Sequence, residues 1–171
     1  TSVTSFSCED TGKNSDRLTV TESSGNVSTC TYNVNVLDTT SPIANCIDTT
    51  IYLGATGNVT IDSSYINNAS TDNCGIVTIV PSATTFSCTD TGSNTVTLTV
   101  TDGSGNSSTC TATVTVLDTV APMAVCMDTT IYLDLTGSFT IDSSYIDATV
   151  ENCSYTATLS ATVFNCDSVG A

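Results

Sequence analysis

Apolar and polar positions alternate one by one along much of this chain. In "NTVTLTVTD", Val96, Leu98 and Val100 alternate with Thr95, Thr97 and Thr99, and in "CTATVTVLD" Cys110, Ala112, Val114 and Val116 alternate with threonines. A period of two with β-branched residues on both faces predicts half-buried antiparallel strands. The "DGSGN" between the two runs predicts a tight, glycine-rich hairpin turn. "TIYL", "NVTI" and "IVTIV" predict three more strands, each bounded by Gly, Asn or Asp. "DSSYI", at Asp62–Ile66 and again at Asp142–Ile146, predicts a single helical turn with the Asp as its cap.

The same pattern returns about eighty positions later. "VLDTTSPIANC" from Val36 matches "VLDTVAPMAVC" from Val116, "FSCEDTGKN" from Phe6 matches "FSCTDTGSN" from Phe86, and "DTTIYLGATGNVTIDSSYI" from Asp48 matches "DTTIYLDLTGSFTIDSSYI" from Asp128. A fixed period of this kind predicts a tandem array. Pro42 and Pro122 cannot extend a strand ladder and each follows an Asp-Thr pair, so they mark the joints. On that frame, residues 40–119 are one complete repeat, 1–39 the back part of a preceding one, and 120–171 the front part of a following one. Short strands with frequent turn signals predict an all-β fold, one immunoglobulin-like sandwich per repeat. The closing "LSATVFNC" echoes the opening "TSVTSFSC", which reads as a slice of a longer array. The alternative is separate subunits that exchange half-domains end to end. The absence of an initiator Met or a signal-peptide pattern is expected of such a segment.

Charge narrows the partners. Lys and Arg total 2, Asp and Glu total 17 and His is absent, for a formal charge of −15. Lys13 and Arg17 alone cannot neutralise a phosphate backbone or an anionic membrane, so nucleic acid and lipid surfaces are excluded as partners. No apolar run is long enough to span a bilayer. Without His, a Ser-His-Asp or Cys-His nucleophile cannot be assembled. No acid sits in the apolar context that would split two carboxyl pKa values, so no glycosidase pair is expected. The reading is of a protein that is not an enzyme.

Nine cysteines in 171 residues, with no close CxxC pair, predict a disulfide framework and an oxidising compartment rather than a thiolate metal site. The complete repeat holds Cys46, Cys74, Cys88 and Cys110, which allow three connectivities. We favour Cys46–Cys110, each just inside a terminal strand at one end of the sandwich. We favour Cys74–Cys88 as well, since they bracket a short strand-turn segment, and by the same rule Cys153–Cys166. Cys8, Cys30 and Cys126 are left over. Cys30 corresponds to Cys110 and Cys126 to Cys46, so an inter-copy bond between them is expected along the array.

These residues carry a resemblance. "TVTLTVTDGSGNSSTCTATVTVLD" followed by a proline and a cysteine resembles the end of one hyalin repeat (HYR) domain and the start of the next. The extra pair in "DNCG" (Asp72–Gly75) and "FSC" (Phe86–Cys88) is similar to a variant in long surface proteins of Bacteroidota. The third unit departs from it, with "ENCS" in place of "DNCG" and a spacing two residues shorter. The resemblance implies tandem immunoglobulin-like domains, secreted or at the cell surface, with roles in adhesion or as stalks.

Two further kinds of site follow from that topology. The last hairpin turn of an immunoglobulin-like domain lies at the end where the preceding domain attaches. That would bring Asp102, Asn106 and the Asp72–Asn73 loop close to Asp38, a set of hard oxygen donors suited to Ca²⁺. Asp118 and Asp147 would be the counterparts one unit on. Asn26, Asn58, Asn68, Asn106 and Asn152 begin N-glycosylation sequons. The Asp-Thr-Thr and Asp-Thr-Val triplets resemble the O-glycosylation signal of Bacteroidota, with Thr39, Thr49, Thr119 and Thr129 as acceptors. The expected function is mechanical: a segment of an extracellular fibre, stalk or filament whose partners are neighbouring copies of the repeat. The second reading is an adhesion module that binds glycans or a surface. Tyr52, Tyr65, Tyr132 and Tyr145 recur at matched positions and are expected to pack in a core or between domains.

Overall fold

A computed structural model describes residues 5–168. The chain is all-β, with short 3-10 turns and no α-helix among the described residues. Among the described residues ten strands run in order: β1 (Gly12–Thr21), β2 (Val27–Val36), β3 (Thr49–Tyr52), β4 (Asn58–Thr60), β5 (Ile76–Pro81), β6 (Thr85–Ser87), β7 (Gly92–Asp102), β8 (Ser107–Leu117), β9 (Ser138–Thr140) and β10 (Val163–Asn165). The sheets have the orders β1-β2, β4-β6, β3-β8-β7-β5 and β10-β9. The strands from Thr49 to Leu117 thus form one four-stranded and one two-stranded sheet.

The chain divides into two compact units. The first draws on the stretch up to Thr49, Ile61–Thr84 and Ser93–Thr115; the second draws on Thr50–Thr60, Thr85–Gly92 and the chain from Val116 onward. In the first unit the period of two is obeyed closely. Val96, Leu98 and Val100 of β7 and Ala112 and Val114 of β8 are buried, as are Ile61 and Ile66, while the intervening threonines stay partly exposed. Each buried Val, Leu or Ile among them contributes about 1.5–3 kcal/mol. The second unit buries Ile51, Leu53, Phe86, Val116 and Ile141.

The hairpin β1–β2 is the sequence counterpart of β7–β8, with Gly12 opposite Val36 and Leu18 opposite Cys30. Its apolar face is open: Leu18 is 52% exposed where Leu98 is 0%. The two "DSSYI" segments each form the expected single turn, at Ser63–Tyr65 and Ser143–Tyr145. Asp62 and Asp142 cap them by accepting the N–H of Ser64 and Ser144.

Three expectations are corrected. Cys74 does not pair with Cys88; it is bonded to Cys8, and Cys88 to Cys153. The segment between Cys74 and Cys88 is not a hairpin, because β5 pairs with β7 and β6 pairs with β4. With Cys153 so engaged, Cys153–Cys166 is also excluded, and Cys166 is an exposed thiol. The tyrosines are not core residues: Tyr52, Tyr65, Tyr132 and Tyr145 are all exposed. On β3 the reason is the pleat, which buries Ile51 and so turns Tyr52 to the other face. Tyr145 keeps one ring contact, edge-on to Phe139 with centroids 5.8 Å apart.

Candidate functional site

The first unit brings three segments together where β2 ends. Asp38 follows β2, and its Oδ1 accepts the N–H of Thr40 at 3.1 Å, the turn that an Asp-Thr-Thr triplet favours. Asp72 precedes Cys74, and its Oδ2 accepts the Cys74 N–H at 2.8 Å. Asp102 ends β7, and its Oδ1 accepts the N–H groups of Ser104 at 2.9 Å and Asn106 at 2.8 Å, closing the Gly-Ser-Gly hairpin. Each aspartate thus shapes its own loop with one oxygen.

Two asparagines then tie the loops to one another. The Asn106 Nδ2 donates to the Asp38 carbonyl at 3.1 Å and to Asp102 Oδ2 at 2.8 Å. The Asn73 Nδ2 donates to Asp38 Oδ1 at 3.3 Å. The Cys8–Cys74 bond, with Cα atoms 5.1 Å apart, fastens the start of the β1–β2 hairpin segment to the same loop. Ser108 Oγ adds a bond of 2.6 Å to the Pro42 carbonyl.

The outcome is three carboxylates, Asp38, Asp72 and Asp102, each offering an oxygen within 4.8 Å of the others. Asp102 is buried, and the other two are half-buried. Burial pushes the Asp102 carboxyl up. The hydrogen bonds from the Asn106 side chain and from the N–H groups of Asn106, Ser104 and Gly105 together outweigh it, and hold the group below the usual aspartate value. Asp38 Oδ2 and Asp72 Oδ1 are sealed from solvent and have no hydrogen-bond partner. Unpaired buried carboxylate oxygens are costly unless something compensates their charge.

The second unit holds a matching arrangement. Asp118 follows β8 as Asp38 follows β2; its Oδ1 accepts the N–H of Val120 and the Nδ2 of Asn152, both at 3.1 Å. Asn152 also donates to the Gly54 carbonyl at 3.2 Å. Cys88–Cys153 takes the place of Cys8–Cys74, with Cα atoms 5.5 Å apart. Here Glu151 Oε2 and Asn152 Oδ1 are the sealed, unpartnered atoms. Gly57, at φ +72, lies against this joint: a Cβ there would stand 2.6 Å from the Asn152 carbonyl oxygen and 2.7 Å from Cys88 Sγ.

Of the residues singled out in the sequence, Asp38, Asp72, Asp102 and Asn106 are brought together, and Asp118 occupies the corresponding place in the second unit. Asp147 does not. It bridges to Cys126 as Asn67 does to Cys46, so it is the counterpart of Asn67, and Glu151 stands where Asp72 does. The sequence also undervalued Asn73 and Asn152. Their signal was the recurring Asn-Cys pair, which the structure shows to be a clamp on the preceding Asp. Cys46 is bonded to Cys110 within the first unit, with Cα atoms 5.8 Å apart, and Cys30 and Cys126 are exposed thiols. Thr39, Thr119 and Thr129 are exposed and Thr49 is half-buried.

Residues 37–116 match the family model of the HYR domain, so this stretch is an HYR-like repeat. No curated protein matches the chain. HYR domains are extracellular, non-catalytic repeat modules, and the three disulfides agree with an oxidising compartment. Among the described residues no helix is long and apolar enough to cross a membrane.

Proposed function

We propose that this chain is a load-bearing segment of an extracellular fibre or stalk, of the kind carried by long surface proteins of Bacteroidota. Its work is mechanical and not catalytic. One observation carries the reading: Cys8–Cys74 and Cys88–Cys153 each tie the hairpin segment of one repeat to the Asn-Cys loop of the next, so successive repeats are joined by a cystine as well as by the peptide linker. Fourteen residues separate Cys74 from Cys88, whereas 145 separate Cys8 from Cys153 along the backbone. The covalent route through the cystines extends to about 50 Å between those points, against about 500 Å for the backbone alone. Unfolding a repeat therefore releases little length while the cystines hold.

The neighbours in such a fibre are further copies of the same repeat. The open face of β1–β2, with Leu18 and Val20 exposed, is the surface that the front part of a preceding repeat covers. Cys30 lies on that hairpin, and its bond to the Cys126 position of a neighbouring copy repeats Cys46–Cys110. The exposed Thr39, Thr119 and Thr129 are accessible to O-glycosylation, and an intact mass equal to the bare polypeptide would exclude glycans. Single-molecule stretching between the chain's two ends tests the central claim. The oxidised chain is expected to yield only a few tens of residues of extension, and reductant to release the remainder. Long unfolding steps without reductant would overturn it.

The exposed tyrosines favour a second reading, adhesion to glycans, since Tyr52 and Tyr132 present the same ring at matched places in two repeats. Retention on a glycan array that is lost in Tyr52→Ala and Tyr132→Ala is the expected result of that reading.

A further inference from the structure

We propose that Asp38, Asp72 and Asp102 form a Ca²⁺ site that locks the joint between repeats. The inference rests on reading the Asp38 segment as that joint, and deepens it by giving the joint a ligand. The decisive observation is what their oxygens do. Oδ1 of Asp38, Oδ2 of Asp72 and both oxygens of Asp102 are committed to N–H donors that fix the loops. Asp38 Oδ2 and Asp72 Oδ1 are left without any donor and without solvent. Asp102, 4% exposed, supplies a buried third carboxylate to the same cluster.

The feature is not confined to one place. At the second joint the residues corresponding to Asp72 and Asn73, Glu151 and Asn152, again leave sealed oxygens unpartnered. The acid ahead of the Asn-Cys pair thus leaves one sealed, unpartnered oxygen at both joints, as Asp72 at the first and as Glu151 at the second. The counterpart of Asp102 would fall after residue 171, so within this chain only the first joint has all three carboxylates.

The donor chemistry selects the ion. Every donor in the cluster is a hard oxygen. No His exists in the chain, and the neighbouring Cys74 sulfur is held in a cystine. Oxygens about 2.4 Å from a shared Ca²⁺ can stand up to about 4.8 Å apart, whereas Mg²⁺, at about 2.1 Å, requires a tighter set. The cluster's oxygens lie within 4.8 Å of one another, a span that Ca²⁺ can bridge. Bound there, the ion would compensate three negative charges drawn from three separate segments, those of Asp38, Asp72 and Asp102. Its removal would leave the Asn73, Asn106 and Ser108 bonds and the cystine to hold the joint.

Calorimetric titration of the 171-residue chain with CaCl₂, together with thermal melts in Ca²⁺ and in chelator, tests the proposal. A saturable heat with one dominant site per chain is expected, with a raised melting temperature that chelator reverses and Mg²⁺ reproduces only weakly. Asp72→Asn and Asp38→Asn should each weaken Ca²⁺ binding roughly tenfold or more, while Asp128→Asn, an exposed acid outside the cluster, should not. No saturable heat at millimolar Ca²⁺, or equal affinity in Asp72→Asn and the parent chain, would overturn it. Peptide mapping without reductant, run on every variant, confirms that Cys8–Cys74 has formed. A silent titration with that bond present sinks the ion site and leaves the covalent tether standing, whereas loss of the bond in the parent chain sinks the tether.

Discussion

Cys88 is bonded to Cys153, sixty-five residues further along the chain, and the loop this closes overlaps the one closed by Cys46 and Cys110, which in turn overlaps that of Cys8 and Cys74. Cystines nested within one repeat would protect that repeat alone. Overlapping ones bind each repeat to the next. A proteolytic cut at Leu37, which is 69% exposed in the linker, should therefore leave the two fragments joined through Cys8–Cys74. Electrophoresis is expected to show one band without reductant and two with it.

Replacing Cys46 and Cys110 together by Ala opens a loop with a sequence separation of 64. The chain-entropy model puts the cost at about 4 kcal/mol. Urea unfolding followed by circular dichroism should show the midpoint fall by that equivalent. An unchanged midpoint would mean that the neighbouring cystines already restrict the unfolded chain to the same degree.

Leu98 and Leu18 occupy the same place in two repeats but not the same environment. Leu98→Ala should cost about 2–5 kcal/mol through lost burial and the cavity it leaves. Leu18→Ala, on the open hairpin, should cost well under about 1 kcal/mol in the isolated chain. Equal losses in equilibrium unfolding would show that the hairpin face is covered in solution.

Gly57→Ala should disturb the second joint specifically. Its left-handed φ alone costs a non-glycine residue about 1–2 kcal/mol, and the new Cβ would collide with the Asn152 carbonyl oxygen and the Cys88 sulfur. A lower yield of the Cys88–Cys153 bond, with Cys46–Cys110 unaffected, is expected from peptide mapping. Gly105→Ala, where a Cβ meets nothing within 4 Å, serves as the control for φ alone.

Acid should loosen the joint. Asp102 in the folded chain lies below the ordinary aspartate value of 3.8 despite burial, because four hydrogen bonds favour its charged form. A group depressed in this way contributes its full stability above about pH 4, and that contribution is lost as pH falls through the folded value. The helical-turn caps Asp62 and Asp142 are depressed as well, by the Ser64 and Ser144 side chains and their N–H groups, and act in the same direction. Thermal melts should be level near neutral pH and fall below pH 4. Asp102→Asn should flatten that fall.

Local structure was legible because its causes are local. The alternation in β7 and β8, the glycine turn between them and the Asp-capped "DSSYI" turns are set by neighbours a few residues away, and each formed as read. The Asp38, Asp72, Asp102 and Asn106 grouping was reachable through the expected topology. Of the cystines, Cys46–Cys110 formed as the repeat frame predicts, whereas Cys74–Cys88 and Cys153–Cys166 did not, because there closeness in sequence was taken for closeness in space. Which sheet β5 and β6 each join is fixed by partners distant in the chain, β7 and β4, and no spacing of cysteines encodes that.

The hexapeptide "DTTIYL" occurs twice, and its two fates separate what sequence settles from what structure settles. At Asp48 it supplies β3, in a sheet beside β8; at Asp128 the same six residues form no strand. The sequence by itself determined an all-β, acidic, cysteine-rich repeat, because side-chain shape and charge act on their own neighbours. Tertiary structure decided which copy becomes a strand, which cysteines meet and which aspartates are brought together. Ladder bonds, cystines and burial all need a second segment in place, and only the fold supplies it.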